Sequence, residues 1–133
     1  MTIQHINPPT LGNPSHYGFT NLVVVPENQK LVFIAGQSGA DEQGHYGSFD
    51  HQLKRAFEKL RKAVAAVDAT PDHIVKITIL CVDYDRERQT LISAERNAMW
   101  PDDVIKPAST IIPVPCLSSD AMLFEIDAIA AIP

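Results

Sequence analysis

The run Ile74-Val75-Lys76-Ile77-Thr78-Ile79-Leu80-Cys81-Val82 constrains the fold more than any other segment. It is nearly all apolar or β-branched, and it does not alternate cleanly between apolar and polar. Such a run predicts a strand covered on both faces. Just before it, Leu53, Phe57, Leu60, Val64 and Val67 recur at spacings of four, three, four and three. That is the apolar stripe of a helix with 3.6 residues per turn. Ser48 or Asp50 can cap its start, and Asp68 to Asp72, with Pro71, ends it.

Weaker signals complete the order. Residues 1–19 hold Pro8, Pro9, Gly12, Pro14 and Gly18 and read as an irregular lead-in. Thr20–Val25 and Lys30–Ala35 flank Pro26-Glu27-Asn28-Gln29, which predicts a hairpin. Gly36-Gln37-Ser38-Gly39 then closes the second strand. Asp83 to Trp100 carries Leu91, Ile92, Ala94, Ala98 and Met99, a second helix stopped by Pro101. Thr110–Val114 contains Pro113, which cannot donate to a ladder and so marks an edge or a bulge. Met122–Ile132 is a long apolar strand with Glu125 and Asp127 on one side. The reading is a single α+β domain over residues 1–133, in the order β-β-α-β-α-β-β. Its strands carry more apolar surface than two helices can cover, so the excess is expected to be buried between subunits of a homotrimer.

Charge and composition narrow the function. The net charge is −5 and the 11 Lys and Arg residues are scattered, which disfavours nucleic acid as a partner. Cys81 and Cys116 are far apart, too sparse for a secreted disulfide scaffold. His5, His16, His45, His51 and His73 show no ligand spacing, so no metal and no cofactor is expected. The N-terminus has no signal-peptide pattern, and no run approaches the roughly twenty apolar residues of a membrane span. A cytoplasmic protein without a membrane partner is the expectation.

Several segments, taken in order, resemble the RidA/YjgF family. Gly36-Gln37 matches the end of its "SGQ" segment. The helix with Ala56-Phe57 and Leu60, followed by Val75-Lys76-Ile77-Thr78-Ile79, is similar to its helix and "VVKxTVF" strand. Pro107-Ala108-Ser109-Thr110 and Phe124-Glu125-Ile126-Asp127-Ala128-Ile129-Ala130 resemble its "PARS…VEIEAIA" ending. The resemblance implies a chorismate-mutase-like fold and a homotrimer with a central β-barrel. A small metabolite would bind in clefts between subunits. It also implies an imine or enamine hydrolase (deaminase) that releases a keto acid and ammonia. The alternatives are a non-catalytic ligand-binding trimer on the same scaffold and, second, an endoribonuclease, since relatives carry that label.

The same resemblance assigns residues. Glu125 would hold the hydrolytic water, and Gly36 would bring backbone close to the ligand. Ser109 stands where deaminase members carry a carboxylate-clamping arginine, Phe19 where they carry a tyrosine, and Ile111 where they carry a cysteine. This chain therefore reads as a branch lacking the family arginine. Its site is expected to favour a neutral ligand and to act poorly on 2-aminoacrylate, because an unpaired carboxylate is costly to bury. Arg96, on the second helix, is the candidate to supply the missing guanidinium.

Overall fold

The computed structural model describes residues 2–133. β1 (Gln4–Ile6) and β2 (Leu22–Val24) form a two-stranded antiparallel ribbon. The main sheet contains β3 (Lys30–Ser38), β4 (Ile74–Val82), β5 (Ala108–Val114) and β6 (Phe124–Ile132), in the spatial order β3-β6-β4-β5. β6 runs antiparallel to both β3 and β4, and β5 runs parallel to β4. α1 (Phe49–Ala65) joins β3 to β4, and α2 (Arg86–Met99) joins β4 to β5. Among the described residues, no helix is long and apolar enough to cross a membrane.

Local chemistry accounts for the helices. Ser48 caps α1 by accepting from the His51 amide, and Asp85 caps α2 by accepting from the Arg88 amide. Leu53, Ala56, Phe57, Leu60 and Val64 are buried along α1. They meet Ile77, Ile79, Phe124, Ile126, Ala128 and Ala130 from the sheet in one core. α1 ends at Ala65, so Val67 falls in the following turn and stays half-exposed instead of extending the stripe. The end of α2 is closed by Lys106, only 1 % exposed, whose Nζ donates to the Trp100 carbonyl and to Asn97 Oδ1 and pairs with Asp103. A cation there meets the negative end of the helix dipole.

Two expectations are corrected. The segment 20–35 is not a hairpin: β2 pairs with β1 and β3 with β6. The turn signal was real, but β3 gains more by lying along the long apolar β6 than beside a three-residue strand. The lead-in is likewise not wholly irregular, since it holds β1 and a 3-10 turn at Ser15–Tyr17. β4 is central, as its composition demands, yet both helices lie on one side of it. Ile77, Ile79 and Cys81 are buried on that side, while Lys76, Thr78 and Leu80 are half-exposed on the other. The open face also carries Leu31 and Phe33, the latter 73 % exposed. Pro113 does sit on an edge strand, where its missing N–H costs nothing.

Helix α1 is held close to the sheet by two residues. Gln52 is fully buried and donates to the carbonyls of Gly47 and Ala121, while its Oε1 accepts from the Leu123 amide at 2.8 Å. A Cβ on Gly39 would lie 2.1 Å from the Gln52 Cα, so only glycine permits the approach. Gly39→Ala is expected to cost about 1–3 kcal/mol through overpacking. Gln52→Leu is expected to cost about 2 kcal/mol, because it removes three part-buried hydrogen bonds to backbone groups. Urea denaturation of both variants measures each cost.

Candidate active site

A cavity of about 370 Å³ opens between α2, the start of β5 and the segment after the first 3-10 turn. Phe19, Arg96, Ser109 and Ile111 line it, together with Tyr17 and Gln89. The fold brings them together in two steps. Gly18 takes a left-handed conformation, φ 92°, and lies so close to α2 that a Cβ would stand 2.5 Å from the Arg96 Cβ. Thr20 then bonds alongside β5, its amide donating to the Pro107 carbonyl at 2.9 Å. Phe19, held between these anchors, is placed with its ring centroid 5.1 Å from the Arg96 guanidinium carbon.

Arg96 is the unusual group. It is 3 % exposed, with Nη1 donating to Ser109 Oγ at 3.0 Å and Nη2 to Ser93 Oγ at 3.4 Å. Its Nε has no partner, and no carboxylate pairs with it among the described residues. Thr20 Oγ1, next in sequence to Phe19, is likewise buried without a partner. Burial pulls the Arg96 guanidinium down to about 10, only partly offset by the nearby Tyr84 phenol. It remains a cation at neutral pH. A cation whose pKa falls on folding is a liability at every pH below the folded value, because the unfolded chain holds that proton more tightly. A buried, unpaired guanidinium is a ready receptor for an anion.

Ser109 thus does not leave the site without a cation: Arg96 reaches it from the neighbouring helix. The premise behind the expected preference for neutral ligands, a site without a guanidinium, therefore does not hold. Sequence reasoning missed Tyr17 and Gln89. Tyr17 lies two positions before Phe19, but nothing in a linear reading brings Gln89 to β5. Gly18 was legible as a turn residue but not as the contact that seats Phe19 on Arg96.

Glu125 and Gly36 form a separate pair. Ser109 and Ile111 stand beside Ile77 and Ile79, on the helix-covered face. Glu125 stands beside Leu80, on the open face. The two groups therefore lie on opposite faces of one chain's sheet. Gly36 sits inside β3, at an irregularity between Ile34 and Gln37, and does not end the strand. A Cβ there would come within 2.5 Å of Glu125 Oε1, so glycine makes room for the carboxylate. Among the described residues, no group of three or more His, Cys, Asp or Glu side chains is placed to hold a metal. Cys81 is buried and its thiol is pushed up to about 11 by desolvation, which leaves it inert.

Comparison with known proteins places the molecule. The family model described as Endoribonuclease L-PSP matches residues 15–132. The chain belongs to this family, which is the RidA/YjgF family. A Rid-family protein of unknown function from Yersinia pestis superposes with a TM-score of 0.90 at 24% identity, over 99% of this chain and 100% of that one. The protein YjgH is 28% identical, with a TM-score of 0.69, over 90% of this chain and 88% of its own. A member of the YjgF/YER057c/UK114 family from Mycobacterium tuberculosis is 21% identical at a TM-score of 0.64, with 98% of each chain covered. No curated protein matches the sequence. The two helices and mixed sheet are the fold of these relatives.

The unpaired state of Arg96 has a measurable consequence. Replacing a buried ion by an apolar side chain of similar length is often neutral or stabilising. Arg96→Met is expected to change the melting temperature by no more than a few degrees, in either direction, in thermal unfolding followed by circular dichroism. A loss of folding would mean that the guanidinium is chiefly structural.

Proposed function

We propose that this RidA/YjgF protein is a cytoplasmic homotrimer that hydrolyses a small imine or enamine carrying a carboxylate. The observation that carries the reading is the buried Arg96 guanidinium, unpaired except for neutral hydroxyls, on the wall of the cavity it shares with Ser109. Arg96 and Ser109 receive the substrate carboxylate, while Phe19 and Ile111 cover its carbon skeleton. Glu125 serves from a second copy, whose open sheet face packs against the first.

The chemistry needs one base. Glu125 takes a proton from water as the hydroxyl adds to the imine carbon. The imine nitrogen accepts a proton, giving a carbinolamine. The C–N bond then breaks, and ammonia leaves as the carbonyl forms. An enamine enters the same route after protonation on carbon. The absence of a side chain at Gly36 keeps space for the Glu125 carboxylate. The open face, with Leu31, Phe33, Leu80 and Ile129, supplies apolar surface for assembly.

Two measurements test this reading. Light scattering after size exclusion is expected to give about three times the 14.6 kDa chain mass. A monomer at micromolar concentration overturns both the assembly and the shared cleft. Enzymatically generated 2-aminoacrylate is expected to be quenched by the wild type. Arg96→Met should lose about 10–100-fold in kcat/KM, the worth of hydrogen bonds to a charged group. Glu125→Gln should abolish turnover while leaving pyruvate binding intact. Binding of pyruvate without turnover would instead identify a non-catalytic ligand-binding trimer.

A further inference from the structure

A second cavity, of about 310 Å³, lies by the start of β4 and shares no lining residue with the Arg96 cavity. Ile3, Ile105 and Pro133 give it apolar walls, and His5 and His73 line it. Neither histidine belongs to the site described above, and hydrogen bonds fix both rings. His5 donates from Nδ1 to the Lys106 carbonyl at 2.7 Å. His73 does the opposite: its Nδ1 accepts the Thr70 amide at 3.0 Å. A backbone N–H can only donate and a carbonyl can only accept, so the two neutral rings are held as opposite tautomers. His5 keeps its proton on Nδ1 and leaves a lone pair on Nε2. His73 leaves Nδ1 bare and carries its proton on Nε2.

We propose that this cavity binds a small neutral lactam or amide, whose N–H is accepted by His5 Nε2 and whose carbonyl accepts from His73 Nε2–H. The wall composition agrees. Among the described residues no Lys or Arg lines the cavity, and Asp72 on its rim is exposed, so a carboxylate or phosphate is repelled. A planar, mostly apolar ring with one donor and one acceptor satisfies both histidines and packs on Ile3 and Ile105. Both anchors are rigid. Lys106 is locked by its own buried contacts, and His73 completes a capping box with Thr70 at the short 3-10 turn Pro71–His73. The two nitrogens are therefore set before a ligand arrives, which lowers the ordering cost of binding.

The test uses the full chain labelled with 15N and long-range 1H–15N spectra of the imidazoles, in slightly alkaline buffer. His5 is expected as the Nδ1–H tautomer and His73 as the Nε2–H tautomer. Adding 2-pyridone should shift both Nε2 signals in a saturable way. N-methyl-2-pyridone, which lacks the donor, should bind about fivefold more weakly, the effect of one neutral hydrogen bond. His5→Phe should abolish the shift at His73. If that variant fails to fold, His5→Gln keeps a donor for the Lys106 carbonyl and should still lose most of the shift. The same tautomer at both rings, equal binding of the N-methyl compound, or shifts confined to residues around Arg96 would each overturn the proposal. Pyruvate in place of 2-pyridone should leave both histidines unmoved, and a shift there would show an anion site instead.

Discussion

β6 is hydrogen-bonded on both sides, to β3 and to β4, and the rest of the structure is arranged around that double pairing. Every second residue along it, from Phe124 to Ala130, enters the core under α1, while Glu125, Asp127 and Ile129 point the other way. The strict alternation of a β-strand thus divides the molecule into two sides. One side is a closed core. The other is a sheet face that the chain's own helices do not reach, because α1 and α2 both pack on the same side.

That division has a chemical consequence. Arg96 and Ser109 belong to the covered side, where burial strips the guanidinium of water. Glu125 belongs to the open side, beside a glycine that leaves it room. One copy of the chain cannot bring both groups to one ligand. The shared cleft proposed above would resolve this, and the same assembly would bury Leu31 and Phe33. In this picture oligomerisation and site formation are one event.

Arg96 also shows how a site is recognised by what it costs. A buried guanidinium with only hydroxyls and an aromatic face for company is less stable than one paired with a carboxylate. The protein nevertheless builds three separate contacts to hold it there: the Phe19 ring, Ser109 and Ser93. Residues that the core would be as well off without are the ones most directly tied to ligands.

Much of the architecture was legible in the linear pattern. The stripe from Leu53 to Val64 marks α1, the composition of Ile74–Val82 marks a central strand, and Pro113 marks an edge. These signals are local, set by helical period, β-branching and a missing N–H, so they survive without the fold. Ser109, Phe19, Ile111 and Arg96 were each identifiable as candidates. What decided their roles is tertiary. Arg96 lies thirteen residues from Ser109 in sequence, and only the return of α2 over β5 sets its Nη1 3.0 Å from the Ser109 hydroxyl. The pairing of β3 with β6 instead of β2, the opposite faces of Ser109 and Glu125, and the opposed tautomers of His5 and His73 are of the same kind. Each depends on which distant backbone groups meet, and residue spacing carries no record of that.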